Sequence, residues 1–283
     1  MTDPSYLGQI LVFTSPLIGN YGVPSNEPLP SMPGIPQMES AGIQCSGVIV
    51  TDVALKHSHY LAVESLHEWC DRHGVPGISG VDTRAVTTLL RDQGTTLGRI
   101  AVGEEEVAKG SPAVGEYWDP SKENLIAKAS TTEPYVLNPT GDVHIAVLDF
   151  GAKANILRSL VKRGAKLTVL PWNYDINSVQ NKFDGLFLTN GPGDPKSITD
   201  VAHEVRKYID TADKPTMGIC MGSQIVSIIS RGDWNFHVII DHFLTYSTLS
   251  LPRSRSLSAA RPTGWSSEVS LPLADSCTLR DVS

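Results

Sequence analysis

The chain has 283 residues, with 23 Lys or Arg against 30 Asp or Glu, so its formal net charge is −7. This acidic balance argues against a surface that binds nucleic acid or an anionic membrane. The hydrophobic content of 41% and the charged content of 19% are typical of a soluble globular protein. The length is sufficient for two domains, each with its own hydrophobic core.

The cysteines and the start of the chain bear on the compartment. Cys45, Cys70, Cys220 and Cys277 lie far apart and form no C-x-x-C pair. We therefore expect neither a disulfide framework nor a zinc site, and we expect a reducing compartment. The first residues show no basic region followed by an apolar run, so no targeting segment is visible. No apolar run approaches the roughly 20 residues that span a bilayer.

The first part of the chain mixes short strands with amphipathic helices. Apolar runs predict strands at Gln9–Phe13 and Gly47–Val50, and the Pro-, Gly- and Ser-rich residues 20–38 between them predict a loop. Helical spacing of apolar residues predicts a helix over His59–His73. A second helix is predicted over Asp82–Arg91, capped by its first aspartate and ended by a following glycine.

The composition suggests where this first domain ends. Residues 103–142 are acidic and then contain Pro, Thr and Asn, which is typical of a linker. We expect a first domain over residues 1–130 and a linker over residues 131–142. A second domain over residues 143–224 follows, and residues 225–283 form a serine-rich tail of atypical composition.

The second domain alternates strands with helices. Strands are predicted at Val143–Leu148, Lys166–Leu170 and Gly185–Leu188, and helices at Ala152–Arg163 and Thr199–Thr211. This order with short connections predicts an α/β domain, in which a mostly parallel sheet is covered on both faces. In such domains function collects at the carboxyl ends of the strands, where Gly191, Gly193 and Cys220 lie.

The segment Gly218-Ile-Cys-Met-Gly222 is the most informative feature of the chain. It places one cysteine between two glycines where an apolar strand runs into a helix, as in a nucleophile elbow. The turn crowds the backbone and needs small residues around the nucleophile, and the helix N-terminus favours the reactive thiolate. The alternative is a buried structural cysteine that ends a core strand.

Two sequence blocks carry a family resemblance. Phe187–Pro195 and Gly218–Gln224 together resemble the class I glutamine amidotransferases. Four further blocks are similar to the small, glutamine-hydrolysing chain of carbamoyl phosphate synthetase: Thr2–Tyr6, Pro16–Gly22, Gly80–Arg84 and Leu148–Lys153. The likeness covers residues 1 to about 224, and residues 57–100 resemble the eukaryotic arginine-pathway version most.

The resemblance implies a fold and a set of site residues. It implies an N-terminal mixed α/β small-chain domain, followed by a doubly wound, mostly parallel amidotransferase domain that is incomplete after the elbow. Cys220 would be the nucleophile that forms a thioester with L-glutamine, with Gly193 and Met221 in the oxyanion hole. The implied glutamine pocket consists of Ser5, Gly191, Gly193, Met221 and Gln224.

The resemblance also implies a partner. The released ammonia would pass through a tunnel to a large synthetase chain, onto which the first domain docks to form a heterodimer. That partner would use ATP, Mg²⁺ and bicarbonate to make carbamoyl phosphate for arginine or pyrimidine synthesis. No cofactor is expected in this chain, because nothing in it resembles an ATP site. The compartment would be the cytoplasm or the mitochondrial matrix.

The chain departs from the family pattern in two places. It starts at the Thr2–Tyr6 block, and after the elbow it lacks the family's Gly- and His-containing block and its His-Pro-Glu sequence. Only His237 and His242 follow Cys220, and Ser223 stands where the family usually has His or Asn. We therefore expect a chain truncated at both ends and of doubtful activity. The alternative is a catalytically inactive fragment or a binding module without the histidine and glutamate of the triad.

Overall fold

The computed structural model describes residues 1–100 and 117–229. Its first domain is built from short strands and two helices, which we number along the chain. The strands are β1 Ile10–Val12, β2 Leu17–Ile18, β3 Val23–Pro24, β4 Gly47–Ile49, β5 Asp52–Val53, β6 Ala62–Glu64 and β7 Gly77–Ile78, and the helices are α1 Leu66–Arg72 and α2 Thr83–Gln93. Strands β1, β4 and β7 form a parallel sheet, β2 pairs with β5, and β3 pairs with β6.

Most of the elements predicted for this domain are confirmed. Strands are present near residues 9–13 and 47–50, and Asp82 caps α2 by accepting a hydrogen bond from the backbone of Ala85 at 2.9 Å. The helix predicted over His59–His73 is wrong in its first part, because residues 62–64 form β6. The partner of β6 is β3, so the predicted loop over residues 20–38 holds a two-residue strand.

A capping box fixes the later start of α1. Ser65 accepts a hydrogen bond from the backbone of Glu68 at 3.2 Å, and the Glu68 carboxylate accepts one from the backbone of Ser65 at 2.8 Å. This reciprocal pair satisfies backbone donors that the first turn of a helix leaves free. The apolar spacing before Ser65 therefore belongs to a strand and a turn rather than to the helix.

The predicted linker contains regular structure. In the stretch of linker-like composition, residues 103–116 lie outside the described residues, and helix α3 spans Leu125–Ala129. Strand β8, Tyr135–Leu137, lies inside the predicted linker of residues 131–142. Strand β8 pairs antiparallel with the sheet of the second domain, and Leu137 is buried in its core. A run of aromatic and branched side chains favours a strand once a sheet edge is available, which the Pro- and Thr-rich surroundings obscured.

The second domain has the mostly parallel sheet that the sequence predicts. Its remaining strands are β9 Val143–Asp149, β10 Ala165–Pro171, β11 Gly185–Leu188 and β12 Thr216–Gly218, and its helices are α4 Ala154–Lys162, α5 Thr199–Ala212 and α6 Met221–Ile229. The spatial order is β12-β11-β9-β10-β8, and only β8 runs antiparallel to its neighbour. Residues 225–229 of the predicted tail continue α6, because Ile225 and Val226 are buried in the core.

Helices cover both faces of this sheet. On one face Leu148 and Leu188 of the strands pack in a core with Tyr208 of α5 and Ile225 of α6. On the other face a second core contains Val147, Leu167 and Phe187 of the strands and Leu157 of α4. Neighbouring residues of one strand thus point to opposite faces, and both faces are apolar, as in a doubly wound domain. No helix in the described ranges has the length and apolar character needed to cross a membrane.

The first domain supplies the cap of α4. The backbone N–H groups of Ala154 and Asn155 donate to the carbonyl and the carboxylate of Glu39, at 2.9 and 3.0 Å. The guanidinium of Arg158 donates to the Met38 carbonyl at 3.0 Å, and its side chain is only 13% exposed. Hydrogen bonds to charged groups contribute about 1.5–3 kcal/mol each, so these contacts tie the two domains together near the amino end of α4.

Candidate active site

Cys220 lies on a tight bend between β12 and α6. Its φ angle is +50°, in the left-handed region that non-glycine residues rarely adopt, and its side chain is exposed. A residue held in this region stores strain of order 1–3 kcal/mol, and such residues cluster at functional sites. The predicted elbow between strand and helix is therefore present, the alternative of a buried structural cysteine is wrong for Cys220, and its role as nucleophile stays a prediction. Cys45 and Cys70, by contrast, are buried in the first domain.

The two glycines of the elbow are required by close packing. A Cβ atom on Gly218 would lie 2.6 Å from the carbonyl oxygen of Gly222. A Cβ atom on Gly222 would lie 2.6 Å from the Cβ of Leu188 and would collide with the Leu188 carbonyl oxygen. Both positions meet backbone atoms, so a larger residue at Gly218 would push α6 away from β12, and one at Gly222 would push α6 away from β11.

Backbone hydrogen bonds join the elbow to the end of β11. The N–H of Ile219 donates to the Leu188 carbonyl, and the N–H of Gly222 donates to the Thr189 carbonyl, both at 3.0 Å. Strands β11 and β12 are parallel neighbours with Leu188 opposite Gly218. Because their carboxyl ends coincide, Cys220 lies at the same sheet edge as the loop that begins at Thr189, as the sequence predicts.

This glycine loop, residues 189–195, follows β11 and is held close to β9. Gly191 is buried, and a Cβ there would lie 2.9 Å from the Cβ of Phe150 and would collide with the Phe150 carbonyl oxygen. Gly193 is exposed and has a φ angle of +85°. The structure thus places the predicted pocket residues Gly191 and Gly193 beside the elbow, one packed against the sheet and the other open to solvent.

Ser5 reaches the same loop from the first domain. It lies in the short 3-10 helix Pro4–Tyr6, where its backbone N–H donates to the Asp3 carboxylate at 2.9 Å. Its hydroxyl oxygen accepts a hydrogen bond from the Asn190 side chain at 2.9 Å. The first domain therefore contributes a half-buried hydroxyl at the glycine loop, and the predicted contact of Ser5 with glutamine stays a prediction.

Met221 and Gln224 lie on the first turn of α6. The side chain of Met221 is 1% exposed and packs in the core, so only its backbone faces the elbow. Its N–H is among the first four of the helix, which have no acceptor within the helix. Gln224 is half-buried one turn beyond Cys220, and its N–H donates to the Cys220 carbonyl at 3.0 Å. The predicted contacts of both residues with glutamine stay predictions.

Asn190 is a residue of this site that the sequence did not single out. Its side chain is buried and bonds to both domains, with partners in Ser5, Gly151 and Lys153. The signal available in the sequence was weak, because an asparagine before Gly-Pro-Gly is also an ordinary turn residue.

Three ionisable side chains, those of Lys153, Asp3 and Asp149, lie close to this junction between the domains. The Lys153 ammonium contacts the Asp3 carboxylate at 2.8 Å. Burial alone would lower the pKa of Lys153, but the hydrogen bond and charge of Asp3 raise that pKa overall. Burial raises the pKa of Asp149, although its carboxylate accepts hydrogen bonds from the backbone of Thr131, Gly151 and Ala152 at 2.7–2.9 Å. Lys153 therefore stays positively charged beside the glycine loop.

The structure describes two histidines of the second domain, and His144 lies away from the elbow. His144 is at the amino end of β9, the opposite edge of the parallel strands from Cys220, and it bonds to the Thr168 hydroxyl at 2.7 Å. Burial lowers the pKa of His144. His203 is on the exposed side of α5. His237 and His242, the two histidines that follow Cys220 in the sequence, lie outside the described residues.

Comparisons with known proteins match both domains. Residues 1–100 match the family model described as carbamoyl-phosphate synthase small chain, CPSase domain. Residues 146–252 match the model of the class-I glutamine amidotransferases. The second match includes the glycine loop and the elbow, and it continues past the described residues.

Curated relatives match over most of this chain. A carbamoyl phosphate synthase arginine-specific small chain from Phaeosphaeria nodorum is 54% identical over 229 residues, covering 81% of this chain and 47% of that protein. Proteins of the same name from Chaetomium globosum and Schizosaccharomyces pombe are 52% and 50% identical, and 49% and 54% of their lengths are covered. The chain spans about half the length of the curated relatives it matches. Together with the two domain matches in this order, these identities show that the chain belongs to the carbamoyl-phosphate synthase small-chain family.

Proposed function

We propose that this chain hydrolyses L-glutamine as the small chain of an arginine-specific carbamoyl phosphate synthase. The observation that carries the proposal is the exposed Cys220, held at a left-handed backbone angle beside the glycine loop. The domain matches and the names of the relatives support the substrate and the arginine branch.

The geometry suggests how the elbow would work. The Cys220 thiolate attacks the side-chain carbonyl carbon of glutamine, and the carbonyl oxygen becomes an oxyanion. The backbone N–H of Met221, reinforced by the dipole of α6, and that of Gly193 would donate to this oxygen. The carbon–nitrogen bond then breaks, the nitrogen takes up a proton and leaves as ammonia, and a thioester remains on Cys220. Water hydrolyses the thioester to release glutamate and the thiol.

The proton for the departing ammonia needs a donor. General acid–base help of this kind contributes about 10²–10⁴-fold to the rate. His144 lies at the opposite edge of the parallel strands, so His237 and His242, the two histidines that follow Cys220 in the sequence, are the residues to replace first. Either histidine fulfils the role if its replacement lowers the rate of glutamate release by about that factor while glutamine binding is retained.

The ammonia would pass to a large synthetase chain, which supplies the site for ATP and Mg²⁺. This partner is inferred from the small-chain family and from the CPSase domain over residues 1–100. The free, buried Cys45 and Cys70 suit a reducing compartment, and we place the protein in the cytoplasm or the mitochondrial matrix. Fractionation of cells that express the protein from its own gene would test this location.

The test of the function is glutamate release from L-glutamine by the purified chain, alone and with the large chain. We expect release that the large chain increases and that Cys220→Ala abolishes. Cys277→Ser is a matched control, because it removes a cysteine outside the elbow. Equal rates for the unchanged chain and Cys220→Ala would refute the proposal. Glutamine binding without turnover would then favour the alternative, a binding module.

A further inference from the structure

Asn190 uses every polar group of its side chain at the junction of the two domains. The residue is 2% exposed, and its amide nitrogen donates to the Ser5 hydroxyl and to the Gly151 carbonyl, both at 2.9 Å. The same nitrogen is 3.4 Å from the Asp3 carboxylate. Its amide oxygen accepts from the backbone N–H of Lys153 at 2.9 Å. An amide offers two donors and an acceptor, so these partners satisfy it fully.

These partners also determine which way the amide points. The nitrogen faces a carbonyl oxygen and a carboxylate, which can only accept, and the oxygen faces a backbone N–H, which can only donate. Aspartate has the shape of asparagine but no N–H, so it would place an oxygen against the Gly151 carbonyl and the Asp3 carboxylate. Buried acceptors that face one another are costly, so this position requires an amide.

The bond from Asn190 decides what the Ser5 hydroxyl can do. A serine hydroxyl carries one hydrogen to donate and oxygen lone pairs to accept. Asn190 occupies the accepting side, and among the hydrogen bonds of the described residues the Ser5 hydroxyl donates none. Its hydrogen is therefore available to an oxygen acceptor of a ligand at the glycine loop, such as the carboxylate of glutamine.

Close packing around Gly151 also holds the first-domain turn against the glycine loop. A Cβ atom on Gly151 would lie 3.0 Å from the side chain of Pro192 and 3.3 Å from that of Pro4. The first-domain turn over residues 3–6 and the glycine loop thus both pack against Gly151, which follows β9. A movement of the turn relative to the second domain would disturb both the loop and Ser5.

From these contacts we propose that Asn190 is a positioning residue. It fastens the first-domain turn to the glycine loop and directs the Ser5 hydroxyl to donate to bound glutamine. The inference rests on the proposed function, because it assigns the acceptor to glutamine. It differs from that function in giving the role to a side chain that does not itself contact the substrate.

The test compares Asn190→Asp with Asn138→Asp in the full chain together with the large chain. Asn138 is a matched control, because its amide donates one hydrogen bond, to the Ala165 carbonyl at 3.0 Å, at the opposite edge of the sheet. We expect Asn190→Asp to raise the KM for glutamine by about 10–100-fold, the effect of losing one hydrogen bond to a charged group. We expect kcat to stay within about threefold, and Asn138→Asp to change neither constant more than about twofold.

A double-mutant cycle separates positioning from a general structural role. If Asn190 acts through Ser5, Ser5→Ala raises the KM by itself, and adding Asn190→Asp raises it less than about threefold further. Additive effects of the two substitutions would overturn the inference. A normal KM in Asn190→Asp, with the unchanged chain active, would also overturn it and leave the proposed function intact.

Hydrogen exchange gives a measurement that does not depend on glutamine. Backbone amides of residues 3–9 should exchange faster in Asn190→Asp than in the unchanged chain, while Asn138→Asp should leave them as they are. Unchanged exchange would refute the fastening. If the unchanged chain shows no Cys220-dependent glutamate release, the proposed function fails, and the exchange result still decides whether Asn190 fastens the turn.

Discussion

Replacing Cys220 by glycine should leave the chain more stable than replacing it by alanine, although both changes remove the thiol. The φ angle of +50° at Cys220 costs an L-residue roughly 1–2 kcal/mol, and alanine retains that cost. Glycine relieves it but loses about 0.4–1 kcal/mol through the greater freedom of its unfolded chain. The difference favours Cys220→Gly by about 0.5–1 kcal/mol in the free energy of unfolding.

Ser227 is the matched position for this comparison. It is exposed in the same helix, α6, where the backbone is right-handed and glycine is about 1 kcal/mol less favourable than alanine. The hydrogen bond from its hydroxyl to the Ser223 carbonyl is lost in both variants and cancels. The order of stability should therefore reverse between the two positions, with glycine better at Cys220 and alanine better at Ser227.

Urea unfolding of the four full-chain variants, glycine and alanine at each position, measures the two differences in the free energy of unfolding. The transition midpoints report stability directly where the m values are equal. In thermal melts the difference at Cys220 corresponds to a few degrees, at about 2–4 °C per kcal/mol for a chain of this size. The glycine variant at Ser227 should be less stable than the alanine variant. If the two variants at Cys220 differ in the same direction and by the same amount, the backbone at Cys220 is not strained and the reasoning is refuted.

Two further predictions concern the elbow and the cysteines. Gly222→Ala should lower the free energy of unfolding by about 1–2 kcal/mol in urea titrations, because overpacking against Leu188 exceeds the helix preference of alanine; stability equal to that of Ser227→Ala would contradict this. In a Cys277→Ser background, iodoacetamide should label Cys220 in the native chain well before Cys45 and Cys70, because burial raises the pKa of Cys45 and raises that of Cys70 to about 12. Native labelling of Cys70 as fast as that of Cys220, followed by mass spectrometry, would disprove the assignment of exposure.

The sequence was informative wherever one local signal fixed an element. Short apolar-rich segments separated by turn residues predicted the strands β9, β10 and β11, and glycines on either side of Cys220 predicted a tight turn. Local signals failed where two kinds of structure share one pattern. Val63 stands at a helical spacing from Leu66 and Cys70, but the segment Ala62–Glu64 pairs with Val23–Pro24 and lies in a strand.

Contacts between distant segments were beyond sequence reasoning. No local sequence pattern indicates that Tyr135–Leu137 pairs with β10. None indicates that Glu39 caps a helix that begins more than a hundred residues later. The same holds for Asn190, whose partners come from residues 3–5 and 151–153. A buried amide of this kind is recognised only when its acceptors and donors are known.

The amino-acid sequence alone determined the order of strands and helices in the second domain and the tight turn around Cys220, because periodicity and glycine spacing are properties of neighbouring residues. Only the tertiary structure decided that the thiol is exposed, that Gly222 packs against Leu188, and that Ser5 is held by Asn190. Those features depend on side chains far apart in the chain meeting at one sheet edge, and the close packing that brings them together has no counterpart in the linear sequence.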